Sequence, residues 1–328
     1  MSSRGPTLCV LLLVTVLGAA CTSSSDGGGT PATSSTAGGA LNAEVASADL
    51  VAGHPQRFLL GVFASDGRLL SFGEVALGFS YLGTQEQPTA PTAGPSATAS
   101  FIPTPGTQDA PGGARLTPPS QGRGVYQADD VTFDRAGIWQ VDLTAEVAGE
   151  GTRAASASFE VLEKASLPYP GQRALRTENL TIGAKDAPAG AIDSSAANGD
   201  PVPDPQLHEW TIADAMAQHL PVLVTFATPV YCTSRFCGPT VDEIASLDRT
   251  YDDRAVFIHV EIWRDFQGSV INQAAADWLY RDDTLTEPWT YLIGSNGRIL
   301  DRWGALFDPA EVSAELSKLP KVRIPPVG

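Results

Sequence analysis

Positive charge is scarce in this sequence. Its 328 residues include 21 Lys or Arg against 37 Asp or Glu, so the formal net charge is −16 at pH 7. A polyanion repels phosphate backbones, and no segment gathers enough Lys and Arg to override that repulsion. We therefore expect no nucleic acid partner, and we interpret the acidic surface as a solvated one.

Histidine and cysteine are equally sparse, with four residues of each. His54, His208 and His219 form no ligand pattern with one another, and His259 is expected to be a hydrogen-bonded histidine within a strand. The sequence also lacks a phosphate-binding glycine loop, a Ser/His/Asp arrangement and a carboxylate pair with usable spacing. We therefore predict neither a metal nor a cofactor. The cysteines remain as candidates for chemistry: Cys9, Cys21, Cys232 and Cys237.

Long apolar runs are missing except near the N-terminus, which reads MSSRGPTLCVLLLVTVLGAAC. Arg4 precedes an apolar stretch that is short for a membrane span, and small residues precede Cys21. This pattern resembles a bacterial lipoprotein signal. The resemblance implies a signal peptide over residues 1–20, lipidation of Cys21 and a location on the extracytoplasmic face of the membrane. The alternative is a plain secretory signal that is cleaved after Ala20. Residues 21–42 are polar and of low complexity, which is typical of a disordered tether.

The chain is long enough for two domains, and residues 43–163 show the two-residue periodicity of β-strands. Predicted strands are Arg57–Phe63, Glu74–Tyr81, Gly124–Phe133, Ile138–Glu146 and Ala154–Leu162. Strands of this kind with turn residues between them favour an antiparallel β-sandwich. We expect a hairpin around the turn 134–137 and a mobile, proline-rich loop over residues 84–123. The segment GVYxxxxVTFxxAGxWxV resembles small Ig-like domains of exported bacterial proteins.

After a predicted linker over residues 164–206, elements of two kinds alternate over residues 207–320, which indicates an α/β domain. The predicted helices are 208–220, 239–251, 272–280 and 309–319. The predicted strands are 221–227, 255–262, 290–293 and 298–301, with the last two forming a hairpin.

Cys232 and Cys237 lie between a buried strand and a helix, in a compartment that favours disulfides. On a regular helix, the Cα atoms of two residues five apart would be roughly 8 to 9 Å from each other, beyond disulfide range. The pair can therefore bond only if much of the segment is loop. Gly238-Pro239 supports a helix that begins near Pro239. Helix N-termini stabilise thiolates, so this position suits a reactive cysteine.

The segments VLVTFATPVYC, VFIHVEI and EPWTYLIGSNGRIL, together with the CX4C pair, resemble the thioredoxin-like superfamily and its exported TlpA-type members. The resemblance implies a thioredoxin-like fold, with Cys232 as nucleophile, Cys237 as resolving cysteine and Pro288 as the cis-proline beside the disulfide. Thr225 stands where many thioredoxins keep a buried acid. The implied activity is thiol–disulfide exchange with protein thiols and disulfides of the cell envelope, in either redox direction.

Three alternatives stay open at this point. The disulfide could be purely structural, in a binding or scaffold lipoprotein. The CX4C spacing also resembles one class of peroxiredoxins, although Glu287-Pro288 occupies the region where that family keeps an arginine. A copper chaperone would use the two soft thiolates with a histidine, for which His259 is the nearest candidate.

Overall fold

Most regular structure in the protein is β-strand. The computed structural model describes residues 41–108 and 110–326. The signal peptide, Cys21 and the tether up to residue 40 lie outside the described residues and stay predictions. The first strand begins at Leu41, slightly before the predicted start of the folded body.

Residues 41–163, termed the β half, are built from nine strands. These are β1 (Leu41–Val45), β2 (Pro55–Ala64), β3 (Leu69–Ser71), β4 (Glu74–Gly83), β5 (Pro88–Pro103), β6 (Arg115–Thr117), β7 (Gly124–Thr132), β8 (Gly137–Val147) and β9 (Gly151–Val161). All of their pairings are antiparallel, in the order β6–β3–β2–β7–β5–β4–β8–β9, and β1 also pairs with β2. The predicted antiparallel β domain is thereby confirmed.

This sheet folds over into two layers around one core. Neighbouring strands lie roughly 4.8 Å apart, so β2 and β4 would be about 14 Å from each other in a flat sheet. Instead, the rings of Phe58 on β2 and Phe79 on β4 meet edge to face with 4.9 Å between centroids. The two layers are continuous through β5, and backbone hydrogen bonds from Leu162 to Leu50 and from Ala52 to Leu162 join their far edges.

Two predictions for the β half were wrong. β7 and β8 do not form a hairpin, because β2 and β5 already flank β7; the turn at 134–137 instead leads from one layer to the other. Residues 84–123 are not a loop throughout, since β5 occupies much of that segment. Pro91 and Pro95 are tolerated there because this part of β5 pairs only with β4. Its other edge forms no backbone hydrogen bonds with a strand, so the missing N–H groups interrupt no pairing on that side.

Residues 164–326, termed the C-terminal half, contain the helices. These are α1 (Ile212–Ala217), α2 (Cys237–Tyr251), α3 (Gln273–Leu279) and α4 (Pro309–Lys318), with 3-10 turns at Ala189–Ala191, Ser194–Ala196 and Pro205–His208. The strands are β10 (Val222–Ala227), β11 (Val256–Glu261), β12 (Trp263–Asp265), β13 (Val270–Ile271), β14 (Tyr280–Arg281), β15 (Thr284–Leu285), β16 (Trp289–Ile293) and β17 (Ile299–Gly304).

A four-stranded mixed sheet, in the order β11–β10–β16–β17, forms the centre of this half. β10 and β11 are parallel, whereas β16 is antiparallel to both β10 and β17. Helices α1 and α3 pack on one face and α2 and α4 on the other. β10 is therefore buried on both sides, which explains why its sequence is apolar apart from Thr225.

The predicted linker, 164–206, is part of this packed half. Leu167 and Ala174 are buried in its core, and Trp278 Nε1 donates a hydrogen bond to Thr177 Oγ1 at 2.9 Å. Asn179 Oδ1 accepts from Ile212 N at 2.8 Å, at the start of α1. The predicted linker is therefore packed against the core, because apolar residues between its prolines and glycines fill gaps there.

The two halves contact each other, and their described residues belong to a single compact unit. Leu306 after β17 packs against Leu59 and Val125 of the β half. Arg57 on β2 forms an ion pair with Asp301 on β17 at 2.8 Å. The β half therefore lies beside the central sheet whose strand β10 leads into the cysteine loop.

Candidate functional site

The two predicted cysteines are joined in a disulfide at the end of β10. Their Cα atoms are 6.0 Å apart, within the usual range for such a bond. Cys232 lies on the loop, and Cys237 is the first residue of α2, two residues before the predicted helix start. The pair bonds because Cys232 and the residues after it are not helical, as the spacing argument requires.

The two sulfurs have different surroundings. Cys237 is fully buried, whereas Cys232 is partly exposed. The backbone N–H of Cys237 points at Cys232 Sγ at 3.4 Å, and Ser234 Oγ lies 3.2 Å from the same sulfur. Both groups can donate to a thiolate, and the N-terminus of α2 adds a favourable dipole. Of the two sulfurs, that of Cys232 is therefore the more accessible and the one with donors around it.

The segment before β16 approaches the disulfide. The Glu287–Pro288 peptide bond is cis, as the resemblance implies. A carboxylate oxygen of Glu287 lies within 4.8 Å of both sulfurs. Glu287 Oε2 is buried and has no hydrogen-bond partner among the described residues. Burial, together with the negative charge of Glu261, raises the pKa of Glu287 to about 7.

Two of the central strands contribute a buried pair of neutral hydroxyl groups. Thr225 on β10 and Thr290 on β16 are fully or almost fully buried, and their hydroxyl groups lie 2.9 Å apart in a mutual hydrogen bond. Neither hydroxyl can take up a proton from a thiol at ordinary pH. Glu287 is the titratable carboxyl group beside the disulfide, and the sequence analysis missed it because its environment depends on folding.

A groove runs along the disulfide loop where the two halves meet. Its volume is about 750 Å³, and its walls include Val62 and Phe63 from the β half and Arg235, Phe236 and Pro288 from the C-terminal half. The lining combines apolar side chains with polar and charged ones, among them Arg235 and Glu287.

Exposed apolar side chains lie on the N-terminal side of Cys232. Val230 is 56% exposed, and the Tyr231 ring stacks on Phe266 with 4.0 Å between centroids. Such a patch next to a partly exposed sulfur offers contact area for a protein partner.

Beneath the cysteine loop lies a second group of titratable side chains, which the sequence analysis did not bring together. Asp193, His208 and His259 are almost completely buried and face one another. Burial and the neighbouring His259 lower the pKa of His208. Burial opposes charge on His259 as well, but the contact with Asp193 outweighs it and raises the pKa of His259. His259 therefore belongs to this group, and a copper site formed by His259 and the two sulfurs is not assembled.

Comparison with known proteins supplies no family. No family model matches the chain, and no similar sequence was found among curated proteins. Within the described part of the chain, none of the helices is long and apolar enough to cross a membrane. Functional argument therefore rests on the geometry around Cys232 and Cys237.

Proposed function

We propose that the protein is a lipid-anchored, extracytoplasmic thiol–disulfide oxidoreductase whose residues 207–320 form a thioredoxin-like domain. The proposal draws on the order β10, cysteine loop, α2, β11, cis-proline, β16, β17 and α4. The Ig-like character of the β half is part of the same proposal, and rests on the motif around Trp139.

One observation carries the activity: the disulfide joins a partly exposed sulfur to a buried one, at a helix start that can stabilise the exposed sulfur as a thiolate. In the reduced protein, the Cys232 thiolate attacks a partner disulfide and forms a mixed disulfide, and the first partner thiolate leaves. Cys237 then attacks Cys232 Sγ and releases the second partner thiolate. Two electrons pass to the partner, and a protein dithiol must later reduce the enzyme. Run in reverse, the same steps oxidise a partner.

Glu287 has a defined part in this cycle. Cys237 is buried, so its proton cannot pass directly to bulk water, and the carboxylate within 4.8 Å can accept it. A pKa of about 7 matches this task at neutral pH. A buried carboxylate in place of an arginine also disfavours the peroxidase alternative, since it provides no positive charge to a peroxide.

Mixed-disulfide trapping tests the assignment of the two cysteines. The full chain is reduced and incubated with a disulfide-linked peptide, and the products are separated without reductant. We expect Cys237→Ala to accumulate the mixed disulfide and Cys232→Ala to form none. Equal trapping by both variants would contradict these roles.

A measured reduction potential separates a catalytic disulfide from a structural one. Catalytic pairs lie between roughly −120 and −270 mV, whereas structural bonds in secreted proteins lie below about −300 mV. We expect the wild-type pair in the upper range. A value in the lower range, with no trapping by Cys237→Ala, would favour the scaffold alternative.

A further inference from the structure

Asp193, His208 and His259 come from three separate segments and converge inside the C-terminal half. Asp193 precedes the 3-10 turn Ser194–Ala196, His208 ends the turn Pro205–His208, and His259 lies on β11. Each is 1% exposed. Asp193 Oδ2 lies 3.2 Å from His259 Nδ1 and 3.8 Å from His208 Nε2. One atom from each residue thus points towards a common centre.

The hydrogen-bonding state of His259 leaves a conflict at that centre. His259 Nε2 lies 3.2 Å from the carbonyl oxygen of Ala227, and a carbonyl can only accept, so Nε2 carries the hydrogen. In the neutral ring, Nδ1 then directs a lone pair at Asp193 Oδ2, and a proton on Nδ1 would relieve that contact but would leave His208 without a partner. Neither of these atoms has a hydrogen bond of acceptable geometry among the described residues, and the same holds for both ring nitrogens of His208. A positive charge between the three side chains would satisfy them together.

Charge balance also calls for a cation. Glu261 lies next to the three side chains and is 1% exposed, and its oxygens accept from the backbone N–H groups of Ser194 at 2.7 Å and Trp263 at 3.1 Å. Asp193 likewise forms no ion pair with Lys or Arg among the described residues. The basic side chain beside these two buried carboxylates is His259, which lies 3.2 Å from Asp193, and one divalent ion would offset both negative charges.

We propose that Asp193, His208 and His259 bind a first-row divalent transition ion, with zinc as the ion that this ligand set favours. Zinc binds imidazole and carboxylate at roughly 2.0–2.2 Å, which places tetrahedral ligand atoms about 3.3–3.6 Å apart. The separations of 3.2 and 3.8 Å lie close to that value. The Ala227 carbonyl acts as the second partner of a metal-binding histidine, since it fixes the ring with Nδ1 inward.

Such an ion would support the cysteine loop from below. It ties residue 193 to β11, and the next residue, Ser194, accepts a hydrogen bond through Oγ from the backbone N–H of Val230 at 3.1 Å. Val230 lies two residues before Cys232. The site is therefore structural, separate from the two sulfurs, and independent of the proposed redox activity.

The test measures bound metal in a chain that has no thiols at residues 232 and 237. The Cys232→Ala/Cys237→Ala double variant is refolded with zinc, freed of loosely bound metal, and analysed for zinc content. We expect one ion per chain. After refolding with Co²⁺ instead, we expect d–d absorption in the visible without a thiolate charge-transfer band. These measurements distinguish the site from a metal bound by the cysteines and Glu287.

Ligand variants then locate the ion. Changing a residue that only supports a metal ligand commonly reduces metal affinity 10- to 100-fold, so removing a ligand with His208→Gln or Asp193→Asn should reduce zinc affinity at least about 100-fold. His54→Gln, an exposed histidine in the β half, is the matched control and should bind zinc as before. Absence of zinc and cobalt from the refolded double variant would overturn the proposal, as would equal loss in His54→Gln. The double variant's cobalt spectrum decides the matter if the ligand variants do not fold.

Discussion

The interiors of the two halves differ in kind. Strands β1–β9 enclose an apolar core in which aromatic rings such as those of Phe58, Phe79 and Trp139 contact one another. Among the described residues of these strands, the buried polar side chains are Ser71, Thr117 and Gln127, and none is ionisable. The C-terminal half instead buries several ionisable side chains: Asp193, His208, His259, Glu261 and Arg302.

That difference agrees with the proposal that the redox activity belongs to the C-terminal half. Burying an ionisable group costs stability unless a partner compensates it, so a fold optimised only for stability would avoid such groups. The core of strands β1–β9 follows this rule, and the β half contributes one wall of the groove beside residues 233–236. The C-terminal half departs from the rule near the disulfide and beneath the cysteine loop. We therefore interpret the β half as support and the C-terminal half as the reactive part.

The largest predicted effect is a loss of stability, without a change in reduction potential, when the core of the β half is disrupted. Phe58 is fully buried between the layers of the β half. Phe58→Ala should lower the free energy of unfolding by about 3–5 kcal/mol, because it leaves a cavity. The reduction potential of the cysteine pair should not change. Denaturant titration and thiol–disulfide equilibration measure the two quantities.

Phe226→Ala on β10 is the matched variant in the C-terminal half. It removes a ring of the same size that is equally buried. Phe226 directly precedes Ala227, which packs in one cluster with Cys237. It should cost similar stability and also shift the reduction potential. The division into support and reactive part is wrong if Phe58→Ala shifts the potential as much as Phe226→Ala does.

Local sequence patterns predicted much of the C-terminal half. The apolar run 221–227 and the spacing of the following helix predicted β10 and α2, because strand and helix burial impose different periods. The turn at Asn296-Gly297 predicted the hairpin of β16 and β17. In the β half, β5 escaped prediction because Thr, Ala, Ser and Pro give no strong alternation, and its pairing with β4 compensates for weak local propensity.

The buried groups could not be predicted in the same way. Asp193 lies in a segment that was interpreted as a linker, and only the fold brings it to His208 and His259. The properties of Glu287 come from its burial and from Glu261, which is distant in the sequence. Cys232, Cys237 and Pro288 could be named as candidates from the sequence because their signals are local or belong to the pattern of the family that the sequence resembles.

A smaller effect should appear in the pH dependence of stability. The pKa of Glu287 is raised to about 7 by burial and by Glu261, the charged group facing it. The folded state therefore holds a proton that the unfolded state releases at lower pH. The contribution of this proton to the free energy of unfolding is complete below about pH 4.5 and is lost as the pH rises through 7. The difference between the two limits is roughly 3 kcal/mol.

Glu287→Gln should remove this contribution. Urea titrations of the oxidised protein give the free energy of unfolding at several pH values between pH 4 and pH 8. Because the variant is compared with wild type at each pH, the contributions of the other titrating groups cancel. Glu86→Gln, on an exposed loop of the β half, should keep the wild-type slope. An unchanged slope in Glu287→Gln would mean that folding does not shift the pKa of Glu287, and it would remove the argument for its role as proton acceptor.

The smallest effect concerns the contact between the halves. Arg57 of the β half donates hydrogen bonds to Asp301 and Glu311, and its side chain is 21% exposed. Such a partly buried pair contributes more than a surface one, so Arg57→Ala should lower the free energy of unfolding by about 1–2 kcal/mol. The loss should move one shared transition, because both halves belong to a single compact unit. Arg68→Ala, which removes exposed ion pairs within the β half, should leave the midpoint unchanged. Two separate transitions in Arg57→Ala would show that the β half folds on its own and that the groove wall can detach.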